Sequence, residues 1–266
     1  MFIHQLDELR EVAGIAFELS IYGNGAPLLF LHAGHGVDSL DPMVQRLAQT
    51  HKVYAVSHPG FGRSGLPGNF STVDDIAYAY LDLIEDLDLR ELALVGVSFG
   101  AWIAVEIATK GSARIGRLIL IDAVGVKLSD RETRDIADVF GTTVDEIPGL
   151  FFEDEEKGRS ALGNLDFPSM SEESVTRFVR NRESFLRFGW SPLLYNPKLP
   201  GRLHRVKQQV LMLWGGADKV VSVDYGKRYA AGFPDARFEV IDDVGHYGYL
   251  EQPEAFASRI NAFLDE

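Results

Sequence analysis

The sequence predicts a doubly wound α/β fold with a mostly parallel sheet and an inserted helical segment. Two observations carry this: short β-rich apolar runs alternate with segments of helical spacing, and the alternation breaks down between residues 125 and 205. The runs are 27–31, 52–56, 91–97, 117–121, 209–214 and 237–241, each short and apolar on both faces, as buried parallel strands are. Between them, residues 40–48, 73–87, 99–108, 225–231 and 254–264 repeat apolar positions at helical spacing. Residues 15–22 form a further strand, placed at the antiparallel edge and leading through the Gly23-Asn24-Gly25 turn.

In the 125–205 stretch strand patterns vanish, and Pro148, Pro168, Pro192, Pro197 and Pro200 interrupt the helical ones. It lies between the run ending at Ile121 and the one starting at Gln209, so it emerges at the carboxyl edge of the sheet, where open α/β folds bind ligands. The expected organisation is a core of 1–124 and 206–266 with a helical cap over 125–205. A helical excursion that never meets substrate is the plainer alternative.

Composition narrows the function. In 266 residues, 39 acidic and 26 basic side chains give a net charge of -13, which opposes binding to nucleic acid. No apolar run reaches the roughly 20 residues of a membrane span, and the first residues lack a basic segment followed by an apolar one, so a cytoplasmic protein is expected. The absence of cysteine rules out disulfides and thiolate chemistry. The expected partner is a small-molecule substrate, without nucleic acid or membrane, and self-association stays open.

Gly96-Val97-Ser98-Phe99-Gly100 follows an apolar run and opens a helical segment, the strand, sharp turn and helix that expose a nucleophilic serine. Glycines flank the serine because the turn brings backbone segments together. A serine hydroxyl needs a base and a group to orient that base. Asp218, in Trp214-Gly215-Gly216-Ala217-Asp218, lies just past one strand, and His246, in Val244-Gly245-His246, just past the last. Asp122 also ends a strand and competes for the orienting role, whereas Asp242 and Asp243 precede His246 too closely to fold back onto it.

With these residues the chain resembles the capped, serine-nucleophile branch of the α/β-hydrolase fold superfamily, which includes esterases, meta-cleavage-product C–C hydrolases and cofactor-free haloperoxidases. Two more motifs carry the resemblance: Leu31-His32-Ala33-Gly34-His35-Gly36, similar to the oxyanion loop, and His58-Pro59-Gly60-Phe61-Gly62-Arg63-Ser64, similar to the Pro-Gly-x-Gly-x-Ser loop. The resemblance implies a triad of Ser98, His246 and Asp218, with the N–H groups of Phe99 and Gly34 as oxyanion donors. It implies no metal and no organic cofactor. Ala33 and Ser222 depart from the family's glycine and proline. A serine nucleophile disfavours the alkyl-enzyme branches, which use aspartate.

His32 reads as a structural residue of its loop. His35 and His58 are candidate substrate contacts, with ordinary loop histidines as the alternative. In the cap, Arg177, Arg180, Arg182 and Arg187 alternate with Phe178, Phe185, Phe188 and Trp190. Phe188 and Trp190 are the candidate lining residues, and Arg180 or Arg187 a candidate carboxylate partner, against a reading in which the arginines are solvated. The expected activity is acyl transfer from a small carboxylic ester or lactone. C–C cleavage of a vinylogous keto acid and a slow-turnover ligand receptor are the alternatives.

Overall fold

The structure, a computed structural model, describes residues 4–37, 41–162 and 167–266. Its strands are β1 (His4–Val12), β2 (Ile15–Tyr22), β3 (Ala26–Leu31), β4 (His51–Val56), β5 (Leu92–Val97), β6 (Ile115–Ile121), β7 (Gln209–Gly215) and β8 (Ala236–Ile241). Together they make one eight-stranded sheet in the order β1-β2-β4-β3-β5-β6-β7-β8. The pairs from β4 through β8 are parallel, and only β1-β2 and β2-β4 run antiparallel. Central β5 is buried at every residue, as its run of Leu, Ala, Val and Gly requires.

The helices are α1 (Pro42–Leu47), α2 (Val73–Asp86), α3 (Phe99–Thr109), α4 (Ile147–Phe151), α5 (Glu155–Ala161), α6 (Glu172–Gly189), α7 (Val223–Ala230), α8 (Gly248–Glu251) and α9 (Pro253–Leu264). Every residue of α3 is buried, so it has no polar face, whereas α2 keeps an amphipathic pattern and starts with a capping box between Thr72 and Asp75. Asp41 caps α1 by accepting the N–H groups of Met43 and Val44, with Pro42 at the first helical position. Residue 40, where the spacing begins that helix, lies outside the described residues. Ser222, the family's proline position, caps α7 by accepting the Tyr225 N–H at 3.2 Å.

One strand departs from the sequence reading. The residues 15–22 strand is not the edge, because β1 pairs along its outer side. The β1 sequence His-Gln-Leu-Asp-Glu-Leu-Arg-Glu-Val is mostly polar, and its Leu6 and Leu9 stay 39% and 51% exposed, so no apolar run marks it. A charged edge strand also discourages pairing with other chains.

Three helices, α4 to α6, fall within 125–205, together with short 3-10 turns at Phe167–Ser169 and Pro200–Arg205. The longest, α6, is fixed to the sheet by charge. Glu18 on β2 accepts Arg177 through both carboxylate oxygens, at 3.0 and 2.8 Å, and also takes the Arg63 side chain at 2.7 Å and the Ser57 hydroxyl at 2.7 Å. Burial would raise this carboxyl, but the hydrogen bonds from Arg177, Arg63 and Ser57 outweigh it and lower the value to about 2. The stabilisation is therefore full above the unfolded value of 4.5 and is lost as pH falls from there toward 2.

Replacing Glu18 by Gln is expected to cost about 1–2 kcal/mol at pH 7, discounted because both arginines are partly exposed. Thermal unfolding at pH 7 and in acid checks this: the gap between wild type and variant should shrink below pH 4.5, and equal stability at pH 7 would remove Glu18 as the anchor.

Candidate active site

The site lies where β3, β5, β6, β7 and β8 reach their carboxyl ends. Ser98 leaves β5 with φ 51, a left-handed conformation that a side chain rarely adopts. Two close approaches hold it there. A Cβ on Gly96 would sit 2.5 Å from the Gly100 carbonyl oxygen, and one on Gly100 would sit 2.1 Å from that of Leu31. The Ser98 N–H is tied to the Ile121 carbonyl at 2.8 Å, while its own carbonyl accepts the N–H groups of Ala101 and Trp102 at the start of α3.

Three side chains meet at this turn. Nε2 of His246 lies 2.8 Å from the Ser98 hydroxyl, and Nδ1 lies 2.8 Å from Asp218 Oδ2. Because a carboxylate only accepts, Nδ1 carries the proton and Nε2 is free to accept from the serine. Asp218 is fixed through Oδ1, which accepts the N–H groups of Val220 at 2.7 Å and Val221 at 2.9 Å. Both His246 and Asp218 have fully buried side chains. Gly34 lies where a Cβ would meet the Phe185 ring at 2.6 Å, and the Phe99 ring packs edge-on against the same ring at 5.2 Å. One side chain of α6 thus lies against both residues expected to supply oxyanion donors.

A cavity of about 530 Å³ opens beside this cluster. Its wall includes Gly34, His35, Phe151, Phe185 and Tyr247, but neither Ser98 nor His246. Phe151 connects the two regions, with its ring edge-on to the His246 ring at 5.6 Å. Phe178, Asn181, Arg182 and Phe185 of α6 all line the cavity, and their spacing of three, four and seven residues puts them on one helical face.

That face corrects the sequence reading of α6. Trp190 is 57% exposed and rests edge-on against Phe140 at 5.9 Å, and Phe188 is buried away from the cavity wall. Arg180 donates to the carbonyls of Gly60 at 3.1 Å and Ser64 at 2.6 Å, and Arg187 to that of Phe70 at 3.1 Å. These two arginines therefore fasten the helix and leave the cavity to Arg177 and Arg182. Counting from Phe178 at helical spacing would have selected Asn181, Arg182 and Phe185 directly from the sequence.

The two candidate histidines divide. His58 does not reach the cavity: it is fully buried, stacks on His32 at 3.6 Å, accepts the Tyr80 hydroxyl at Nδ1 and donates from Nε2 to the His32 carbonyl at 2.9 Å. His32 donates from Nδ1 to Ala33 at 2.6 Å and accepts the His58 N–H at Nε2, which makes it a brace for its loop. His35 does line the cavity, packed on Tyr247 at 4.8 Å. Burial lowers His35 to about 4 and His58 to about 3, and pushes His32 well down, so all three are neutral at pH 7.

These geometries place the chain in a class, and comparison with known proteins gives the same class. The profile of the alpha/beta hydrolase family matches residues 28–259, and the chain belongs to that family. A 2-hydroxymuconate semialdehyde hydrolase of Pseudomonas putida is 24% identical over 274 residues, covering 97% of this chain and 94% of the relative. Among solved structures, a mutant of the meta-cleavage product hydrolase of Pseudomonas fluorescens IP01 superposes with a TM-score of 0.80 at 21% identity, covering 98% of each chain. An esterase from Exiguobacterium antarcticum superposes with a TM-score of 0.73 at 19% identity, covering 98% of this chain and 100% of its own. At these identities the superpositions establish the shared fold.

Each neutral histidine takes up a proton when the chain unfolds in mild acid, so its stabilisation is complete above 6.5 and declines as pH falls through the folded value. Between pH 7 and 5, His58 alone should account for a loss of about 1–2 kcal/mol. Calorimetric unfolding of wild type and His58→Gln at both pH values is the check. An equal pH-dependent loss in the two proteins would mean that His58 binds protons alike in the folded and unfolded chain, against its burial-lowered value.

Proposed function

We propose that the protein is a serine hydrolase that cleaves a small carboxylic ester or lactone by acyl transfer through Ser98. The observation that carries this reading is the unbroken chain from the Ser98 hydroxyl through His246 to Asp218, with both contacts at 2.8 Å. His246 takes the hydroxyl proton at Nε2 as Ser98 attacks the substrate carbonyl, and Asp218 stabilises the imidazolium while holding Nδ1–H in place. The N–H groups of Phe99 and Gly34 receive the tetrahedral oxyanion, and collapse of the intermediate expels the alcohol, which takes the proton from Nε2. Water, activated by the same imidazole, then releases the acid. No step calls for a metal or an organic cofactor.

In this reading 125–205 is the cap that sets substrate choice. Phe151, Phe178, Phe185 and Leu162 give the cavity an apolar wall for the body of the substrate, and Phe151 and Phe185 lie between that wall and the catalytic residues. Substrate must move these two rings aside, so Phe151 and Phe185 select shape where the sequence pointed to Phe188 and Trp190.

C–C hydrolysis of a vinylogous keto acid is a second reading, favoured by one residue. Arg182 lines the cavity, and its guanidinium reaches the Phe140 carbonyl only at 3.4 Å, which leaves it able to pair with a substrate carboxylate. The relative from Pseudomonas putida is named a 2-hydroxymuconate semialdehyde hydrolase.

A fluorophosphonate should label Ser98, and Ser98→Ala should abolish labelling with the fold intact; an adduct on another residue would overturn the assignment. Aryl esters, lactones and dienoic keto acids assayed side by side then separate the two readings. Asp218→Asn should lower kcat by about 10⁴-fold on whichever substrate turns over. Arg182→Ala should raise KM for acidic substrates and leave neutral esters almost unchanged, because only ground-state binding is lost. An equal effect on both substrate kinds would remove Arg182 from recognition.

A further inference from the structure

Asp122 is a buried acid that this mechanism leaves unused. It follows β6 with φ 46 and is completely buried. The end of β7 grips it twice: its N–H donates to the Leu213 carbonyl at 3.0 Å, and its Oδ1 accepts the Gly215 N–H at 2.7 Å. Oδ2 meets no donor group among the described residues. Asp122 and Asp218 follow the neighbouring strands β6 and β7, and the Asp218 carboxyl is near enough to raise that of Asp122.

Two buried carboxyls in contact cannot both be charged without a cation, and His246 is the sole cationic candidate ion-paired with Asp218 among the described residues. The surrounding donors decide where the proton resides. Asp218 accepts three hydrogen bonds, from Val220, Val221 and His246. Asp122 accepts one, and an ionised Oδ2 would be a buried acceptor with nothing to accept.

We propose that Asp122 is a positioning residue of the triad: it keeps a proton on Oδ2 and donates it to the Asp218 carboxylate, adding a fourth member to the chain of Ser98, His246 and Asp218. Burial, and next the charge of Asp218, push the Asp122 carboxyl well above the usual range, against the Gly215 N–H, which favours the charged form. Glu251 of α8 also faces it and raises it, while its own oxygens are engaged by the N–H groups of Gly245, Glu153 and Asp154. Tyr249 of the same helix is pushed above its usual range by burial and stays neutral. The neutral acid thus holds Asp218 and spreads its charge over two groups, which limits how strongly Asp218 draws the Nδ1 proton.

The catalytic part of this inference rests on the serine hydrolase reading, and the test keeps the two apart. Infrared difference spectra of wild type against Asp122→Asn at pH 7 require no turnover. A protonated-carboxyl C=O band present in wild type and absent from the variant is expected, and its absence from wild type overturns the proposal whatever the activity. The pH dependence of fluorophosphonate labelling at Ser98 is the second readout. Asn keeps both hydrogen bonds, donating to Asp218 and accepting from Gly215, so Asp122→Asn should match wild type within a factor of about 3 with an unmoved acidic limb. A limb displaced downward by a full unit would mean that a negative charge had been removed, and would overturn the neutral acid. Asp122→Ala should slow labelling by about tenfold and move the acidic limb upward, since a lost hydrogen bond to a charged group is worth roughly 1.5–3 kcal/mol. If Asp122→Ala labels as wild type does, Asp122 has no positioning role. Failure of Ser98 to label in any protein counts against the hydrolase reading instead, and the infrared result stands by itself.

Discussion

The left-handed turn at Ser98 is the constraint on which the rest of the site depends. A serine at φ 51 is strained, and it persists because β5 feeds directly into α3 with no residue to spare for a gentler path. The Gly96 and Gly100 contacts show how closely the neighbouring backbones enclose that turn. In return, the hydroxyl stands above the sheet edge beside a helix N-terminus, and β6 and β7 carry the remaining groups to the same height. Asp122 and Asp218 follow those two strands, and His246 follows β8, so parallel register alone delivers three titratable side chains to one edge. The chemistry comes from strand ends, and the strands are interchangeable in sequence as long as they stay apolar.

The helix above that edge obeys a different rule. Beside buried Phe185 and Phe188, it is held by polar attachments: Arg177 to Glu18, Arg180 to Gly60 and Ser64, and Ser184 to Gly60 at 2.8 Å. Asn181 bridges the loops of Gly62 and His35, accepting one N–H and donating to one carbonyl, both at 2.8 Å. Hydrogen bonds of this kind fix direction but contribute little net energy each, whereas the sheet is held by buried apolar area.

The same distinction explains what could be read in the sequence. Strands β3 to β7 and helices α2, α3, α7 and α9 were legible because burial on both faces, or on one helical stripe, writes itself as an apolar period; β8, buried only at Ile241, was legible from its β-rich run alone. The cluster of Ser98, His246 and Asp218 was legible because each of the three sits just past a strand end. Strand β1 was hidden by its polar composition, and α8 spans only Gly248–Glu251, too short to show a period. For α6 the residue types were right and the face was wrong, since Arg180 and Arg187 resemble Arg182 until one knows which carbonyls lie near each of them. His58 was misread for a similar reason: only its stacking on His32 and its bond to Tyr80 distinguish a brace from a ligand, and both partners are distant in sequence.

Charge is sparse around the cluster of Ser98, His246 and Asp218. Under the sheet edge, burial keeps His32, His35 and His58 neutral, and His246 is the histidine of this edge that pairs with a carboxylate. Permanent positive charge reaches the cavity on Arg177 and Arg182 of its wall. A second cation beside Asp218 would neutralise the carboxylate and weaken its hold on the imidazolium, and a second anion there would make the imidazole too strong a base to return its proton to the leaving group. Low dielectric magnifies either error, because charges that water would screen act at nearly full strength inside the fold. The burial that makes a lone carboxylate expensive is therefore also what makes a single one sufficient.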